Sequence, residues 1–255
     1  MTISPVWICS EACSTGSREG RVADYLLAVD TSTPGGSVAL YDGDQLLAEF
    51  FRRLPGTHSD WLLAAIEQLL GTAGLQVEDL GLLAVVRGPG SFTGLRVGMA
   101  TVKGLAIGSG VPVVGLSSLT VLAAAVPFAR MPVCTMLDAR KKEVYAGLFD
   151  TSRGRPVALG EERVLAPERL LETLNGDVLF VGDGALAYRT LIIARLGERA
   201  HFVTTALAAP RAGLLGSLAR DAAASVGTAS PEALTPLYLR ASEAEINWEK
   251  RHSAG

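Results

Sequence analysis

From Tyr25 onward, apolar and polar positions fall into short alternating blocks: an apolar run Leu26 to Val29, a polar turn Asp30 to Gly36, a second run Ser37 to Tyr41, and Asp42-Gly43-Asp44 before a third. Short apolar runs punctuated by Asp, Gly and Pro predict a β-meander. After Pro55-Gly56, Thr57 with Asp60 three places on has the form of a capping box, and Trp61, Leu62, Ala65, Ile66, Leu69 and Leu70 then mark one face of a helix. Leu82 to Val86 predicts a buried strand, which Gly88-Pro89-Gly90 turns into a second helix over about Ser91 to Gly108. A strand over Val111 to Val114 and a helix over roughly Ser118 to Ala125 follow.

The second half restarts this programme. Val133 to Leu137, Asp138 and Val144 to Phe149 repeat the order strand, turn, strand. Asp30 and Asp42 are spaced like Asp138 and Asp150, with Val38 matching Val144 or Ala146 and Leu40 matching Leu148. Val178 to Val181 followed by Gly182-Asp183-Gly184 echoes Leu83 to Val86 followed by Gly88-Pro89-Gly90. The pattern predicts an α/β protein of two homologous lobes, 25–126 and 127–245, each a mixed sheet with flanking helices. That is the duplicated, ribonuclease H-like plan of the actin and sugar-kinase architecture, which holds ligands between its lobes. Residues 1–24 carry no periodicity and are read as a floppy extension or a start-site artefact, and 246–255 as a tail.

Composition narrows the function classes. A chain of 255 residues with 49% hydrophobic and 19% charged residues has the apolar material for a sizeable core. A net charge of -3 and a pI near 5.7 argue against a broad basic surface gripping nucleic acid unaided, so an RNA role needs a partner. Cys9, Cys13 and Cys134 are an odd set that suits a reducing compartment, and the sequence has neither a bilayer-length apolar run nor a signal-peptide pattern. The cytoplasm is the expected location.

Several turns are candidates for chemistry. Asp30-Thr31-Ser32-Thr33, after a buried strand, can hold a phosphate oxygen or a metal-bound water, or serve as an ordinary Asx or Ser/Thr turn. Asp138 and Arg140, in the charged stretch through Glu143, can reach an anion across a cleft or form a solvated hairpin tip. Gly88, Gly90 and Ser91 sit where a strand feeds a helix, and Gly182, Asp183 and Gly184 repeat them; both fit an anion site or a structural turn. The helix after Ser91 carries Gly94, Gly98, Gly104 and Gly108, each weakening a helix by roughly 1 kcal/mol against alanine. Close helix packing is the expected reason, either between molecules or within the lobe. His58, His201 and His252 are scattered, and no metal-binding or G-x-S-x-G signature occurs, so neither a metal nor a nucleophile is assigned.

Leu27-Ala28-Val29-Asp30-Thr31-Ser32-Thr33 resembles the TsaB (YeaZ) family, the bacterial accessory proteins of tRNA threonylcarbamoyladenosine synthesis, and Arg87-Gly88-Pro89-Gly90-Ser91-Phe92-Thr93-Gly94-Leu95-Arg96-Val97-Gly98 is that family's most specific signature. Asp138-Ala139-Arg140, Glu143-Val144-Tyr145, Gly182-Asp183-Gly184-Ala185 and Pro236-Leu237-Tyr238-Leu239-Arg240 follow in the family's order, from about Tyr25 to Ala244. The resemblance implies a homodimer in isolation, a heterodimer with the catalytic paralogue TsaD, the ATPase TsaE as a further partner, and tRNA contacted only through the complex. It places the partner interface on the two first-lobe helices, at Thr57, Trp61, Leu62, Ala65, Leu69, Gly94, Leu95, Gly98 and Thr101. The paralogue carries two metal-binding histidines on the helix after its matching strand, whereas this chain reads Gly115-Leu116-Ser117-Ser118-Leu119-Thr120-Val121-Leu122. The expectation is therefore a scaffold that requires no cofactor, with weak ATP or ADP binding left open. The rivals are a small-molecule kinase or ATPase using the two Asp turns, and a metallopeptidase.

Overall fold

The computed structural model describes residues 24–53 and 55–240; of the expected leader (1–24) only Asp24 is described, and the tail (246–255) lies outside the described residues. The first sheet is a meander of β1 (Tyr25–Asp30), β2 (Gly36–Asp42) and β3 (Gln45–Arg52), extended by β4 (Leu80–Gly88) and β5 (Val113–Ser117) in the order β3-β2-β1-β4-β5. β1 runs antiparallel to β2 and parallel to β4. The second sheet comprises β6 (Val133–Asp138), β7 (Val144–Asp150), β8 (Val157–Ala158), β9 (Arg163–Leu165), β10 (Val178–Val181) and β11 (Ala200–Phe202). Its order is β11-β10-β6-β7-β8, with β9 also paired to β7. β6, β7, β10 and β11 thus repeat β1, β2, β4 and β5, and the split edge of β8 and β9 stands for β3.

Helices α1 (Leu62–Thr72) and α2 (Phe92–Ser109) cover one face of the first sheet, packing on Leu27, Val29, Val38 and Leu40. The Thr57–Asp60 capping box forms, but on a separate 3-10 turn (His58–Asp60) ahead of α1. Helices α4 (Pro167–Glu172), α5 (Asp183–Ala187) and α6 (Arg189–Leu196) cover the corresponding face of the second sheet over Cys134, Met136, Val144 and Ala146. The expected matches of Val38 with Ala146 and Leu40 with Leu148 therefore hold in face. The Asp pair does not. Asp30 faces Ser37 across residues 31–36, whereas Asp138 faces Val144 across 139–143. The second turn is one residue shorter, and side chains alternate along a strand. Asp30 falls on the face of Leu26 and Ala28, while Asp138 falls on the opposite kind of face, that of Cys134 and Met136.

A strand buried on both sides needs cover on its second face. Here the halves exchange helices. α3 (Ser118–Ala123), which follows the first sheet, buries Leu119 and Leu122 against Val133, Leu137, Phe149 and Val181 of the second. α7 (Ala212–Val226), which follows the second sheet, buries Ala212, Leu215 and Ala219 against Leu26, Ala28, Ala39, Tyr41 and Ala84 of the first. The lobes are consequently not the contiguous stretches 25–126 and 127–245 that the pattern predicts, because 212–226 belongs to the first lobe's core.

The N-terminus of α7 shows how tightly this exchange is fixed. Arg211 at its N-cap offers no side-chain acceptor to the helix. The acceptors come instead from the other half of the chain: the Ala212 N–H donates to Ser37 Oγ at 2.7 Å, and the Gly213 N–H to Glu49 Oε1 at 3.0 Å. Arg211 closes a bidentate pair with the same Glu49 at 3.1 and 2.8 Å, and Tyr41 donates its hydroxyl to Gly213 O. At the far end Arg220 donates to Gly43 O at 3.0 Å and pairs with Asp24. Ser37→Ala would leave the fully buried Ala212 N–H without a partner, so it should lower the unfolding free energy by about 1–3 kcal/mol. Ser225→Ala, which removes only an exposed hydroxyl, should stay within about 0.5 kcal/mol in the same urea titrations.

Candidate functional site

The Asp30 turn is packed from above by the start of α2. Asp30 Oδ1 accepts the Ser32 N–H at 2.9 Å, as in an Asx turn. The Ser91 N–H donates to Ser32 O at 2.7 Å, and the Thr31 hydroxyl donates to Gly94 O at 2.8 Å. A Cβ at Gly90 would stand 2.2 Å from Ser32 O, one at Gly94 2.1 Å from Thr31 O, and one at Gly98 2.2 Å from Thr31 Oγ1. The α2 glycines at 94 and 98 thus exist for contact within the lobe, against the β1–β2 turn. The intermolecular alternative is corrected for those two, because no side chain fits in the gap. Gly104 and Gly108 face open space.

Asp30, Thr31 and Ser32 are buried, and Asp30 Oδ2 and Ser32 Oγ have no hydrogen-bond partner among the described residues. Burial pushes the Asp30 carboxyl up to about 6, against the opposing pull of the Ser32 N–H that donates to it. The second half repeats the turn-on-turn contact with other residues. Asp138 Oδ1 accepts the Arg140 N–H at 2.8 Å, and the Asp138 N–H donates to Asp183 Oδ1 at 3.1 Å. Cβ atoms at Gly182 and Gly184 would stand 2.0 Å from Met136 O and 2.8 Å from the Leu137 carbonyl carbon. Burial raises the Asp183 carboxyl, while the Asp138 amide and the Arg53 guanidinium pull it down.

These two sets of residues do not line one open cleft. The segment after α7 crosses from the first lobe to the second as a strap: Leu234 sits in the first core, and the Leu237 N–H donates to Arg87 O at 2.7 Å. Leu237 O lies 2.6 Å from where a Cβ on Gly88 would stand. Arg240 then donates to Ala139 O at 2.8 Å and pairs with Glu143 at the second hairpin. The Leu237 carbonyl thus occupies the space beside Gly88 that an anion approaching from that side would need. Ser91 and Arg140 remain exposed, and Asp138 and Asp183 are half-buried. The corner after β5 is also filled: the Ser117 hydroxyl donates to Glu162, whose carboxyl burial pushes up, and the Ser118 hydroxyl donates to Pro89 O.

Histidine and cysteine chemistry finds no support among the described residues, where no three His, Cys, Asp or Glu side chains gather as a metal site. His58 lends Nε2 to Thr33 O at 2.9 Å, and burial lowers its pKa. Cys134 is wholly buried, which pushes its thiol up to about 12, far from a usable thiolate.

The expected partner interface needs a correction of its own. Trp61, Leu62, Ala65, Leu69, Gly94, Leu95 and Gly98 are buried in the lobe, Thr101 is half-buried, and of the named set only Thr57 is exposed. The helical face read as apolar is the core face, as its periodicity also allows. The outward sides of the same helices carry Leu63, Ala64 and Glu67 on α1 and Arg96, Ala100, Gly104, Ile107 and Gly108 on α2. Leu63 is 54% and Ile107 66% exposed.

A duplicated five-strand plan with exchanged helices defines an actin-like two-lobe protein. Residues 55–248 match the family model described as TsaD, tRNA N6-adenosine threonylcarbamoyltransferase. Curated relatives bear the name tRNA threonylcarbamoyladenosine biosynthesis protein TsaB. The Bacillus subtilis protein is 31% identical over 88% of this chain and 97% of its own length, and that of Haemophilus influenzae 35% identical over 88% and 96%. A solved structure of YeaZ from Pseudomonas aeruginosa superposes with a TM-score of 0.75 at 33% identity, over 85% of this chain and all of that one. The chain belongs to the TsaB (YeaZ) family.

The buried Asp30 carboxyl makes a pH-dependent contribution whose sign is fixed. An acid whose folded pKa lies above its unfolded value of about 3.9 weakens the fold once ionised; the penalty is absent below about pH 4 and complete above a folded value of about 6. Asp30→Asn should therefore gain stability over the parent at about pH 7.5, and that gain should shrink at about pH 4.5 in paired urea titrations.

Proposed function

We propose that this chain is a non-catalytic subunit of the machinery that makes threonylcarbamoyladenosine in tRNA, binding a TsaD-type transferase and holding it competent for transfer. The family of the chain supports the pathway. The observation that carries the scaffold reading is the outward side of α1 and α2: Leu63 stands exposed on α1, and on α2 Ile107 stands exposed beside Gly104 and Gly108, at which a Cβ would meet nothing within 4 Å. Small residues on an exposed helix face let a partner helix approach closely, and large apolar side chains beside them supply buried area on association. The same face serves a second copy when the transferase is absent, a TsaE-type ATPase joins the assembled complex, and tRNA is engaged in that complex. The chain needs no cofactor, in keeping with the strap over Gly88 and with the histidine-free stretch Gly115 to Leu122, in the region where the resemblance places the paralogue's histidines. The cytoplasm is the compartment this role requires; no described helix is long and apolar enough to cross a membrane.

The test is to mix the purified chain with the TsaD-type protein of the same organism, follow assembly by light scattering after size exclusion, and assay tRNA modification with each component omitted. A defined complex whose activity needs both chains is expected. Absence of a complex, together with ATP turnover abolished by Asp30→Ala, would replace this reading with the kinase one.

Two kinds of glycine separate interface from fold. Gly104→Leu and Ile107→Glu should weaken the complex at least about tenfold while leaving the thermal midpoint of the isolated chain nearly unchanged. Gly94→Leu should instead lower stability by about 3 kcal/mol or more, since the new side chain meets the Thr31 backbone.

A further inference from the structure

The β6–β7 hairpin tip is built in an unusual way. Arg140, Lys141 and Lys142 have φ of 61°, 53° and 63°, three successive L residues in the left-handed region; Phe128 is the other positive-φ residue besides glycines among those described. Each carries a steric penalty that glycine would avoid. The surrounding structure holds the shape from several sides. Asp138 Oδ1 accepts the Arg140 N–H, the Ala139 N–H donates to Glu143 O at 3.0 Å, and the Glu143 N–H donates to Arg140 O at 3.0 Å. Arg240 ties Ala139 O and the Glu143 carboxylate to the strap. The three side chains it turns outward are all cations, and all three residues are exposed, the Arg140 side chain by 78%. The Arg140 guanidinium also pairs with Asp138 at 3.3 Å and Glu143 is taken up by Arg240, so the hairpin end holds carboxylates as well as an excess of cations. Strain kept in place in this manner, at a point of net positive charge, calls for a functional reason.

Next to the tip the strap supplies a second, independent feature. Tyr238 lies two residues before Arg240, at most about 7 Å between their Cα atoms. Its ring stacks on Phe92 at 5.2 Å, the Arg96 guanidinium sits 3.8 Å over Phe92, and both rings are 38% exposed. Exposed aromatic rings topped by a guanidinium accept unpaired bases, and cations on a rigid tip accept the phosphates between them.

We propose that the Arg140–Lys142 tip and the adjacent Phe92–Tyr238 stack form a contact site for an unpaired stretch of the tRNA held by the assembled complex. This rests on the reading that the chain works in a tRNA-modifying complex. A net charge of -3 for the whole chain confines the attraction to this patch, so the chain alone grips RNA poorly and the contact acts once the partner has brought the tRNA in.

The test uses the complex of this chain with its TsaD-type partner and a fluorescently labelled tRNA, with anisotropy titrations at several salt concentrations. Two triple variants are compared with the parent, Arg140→Gln/Lys141→Gln/Lys142→Gln and Arg140→Gly/Lys141→Gly/Lys142→Gly, together with Tyr238→Ala. The glycine version removes the charges and relieves the left-handed positions, so loss of folding cannot imitate loss of binding; the thermal midpoint of each variant is measured alongside. With assembly intact, both triple variants should bind tRNA about tenfold more weakly and flatten the slope of log K against log salt by about 2. Tyr238→Ala should weaken binding about tenfold with little change in that slope. Unchanged tRNA affinity of an intact variant complex overturns the proposal. So does failure of a folded triple variant to assemble, which would assign the tip to an acidic protein surface. If the parent chain forms no complex at all, the functional reading fails first and this inference falls with it.

Discussion

The arrangement depends on one constraint: both sheets are covered on two faces, and the second face of each is closed with a helix from the other half of the chain. The exchange of α3 and α7 resolves this. It also makes the lobes interdependent, because α7 finds its first hydrogen-bond acceptors on Ser37 and Glu49, in strands laid down 175 and 164 residues earlier. A helix N-terminus buried without acceptors is costly, and Arg211 offers none from its side chain. The acidic Glu49 therefore does three things at once: it accepts the Gly213 amide, neutralises Arg211, and lies at the positive end of the α7 dipole. With α7 locked, the chain beyond it is delivered to the mouth between the lobes.

That delivery changes what the glycine-rich turns mean. In an open two-lobe fold, Asp30, Gly88, Gly90, Gly182 and Gly184 would be read together as a phosphate-binding set. Here the glycines are where backbone touches backbone: Gly90 and Gly94 on Ser32 and Thr31 in one half, Gly182 and Gly184 on Met136 and Leu137 in the other. Leu237 lies over Gly88 and Arg240 reaches the second hairpin, so the mouth is spanned by the chain's own strap. A protein braced across its own cleft is suited to presenting fixed surfaces. Among the exposed surfaces are the outward sides of α1 and α2 and the cationic tip with its aromatic neighbours.

Much of the architecture was legible in the residue pattern. The two meanders, the helix carrying Gly94 to Gly108, the duplication and its matched faces at Val38 and Ala146 all follow from apolar periodicity and turn residues, which are local signals. Most residues that the sequence assigns to a partner face are buried in the lobe, for a physical reason. Trp61, Leu62, Ala65 and Leu69 form the strongest apolar stripe on α1, and such a stripe marks the face a helix hides from water, whether under its own sheet or under another molecule. The outward residues Leu63 and Ile107 lie inside continuous apolar runs, Trp61 to Ile66 and Leu105 to Ile107, where no periodic signal separates them from the core face. The equivalence of Asp30 and Asp138 failed by one residue of turn length, a difference that spacing between the acids conceals and strand register exposes.

The sequence alone determined the class of fold and the family, because both are written in local order: strand, turn, strand, helix, twice over, with the Gly88 to Gly98 segment in its place. Only the tertiary structure decided which sheet each helix covers, that α7 returns to the first lobe, that the strap over Gly88 closes the mouth, and that three successive cations stand in left-handed geometry. Those outcomes rest on contacts between residues far apart in the chain. Ser37 with Ala212, Gly88 with Leu237 and Ala139 with Arg240 have no spacing, period or motif in common, and their pairing follows from the one packing that leaves neither a buried amide nor a sheet face uncovered.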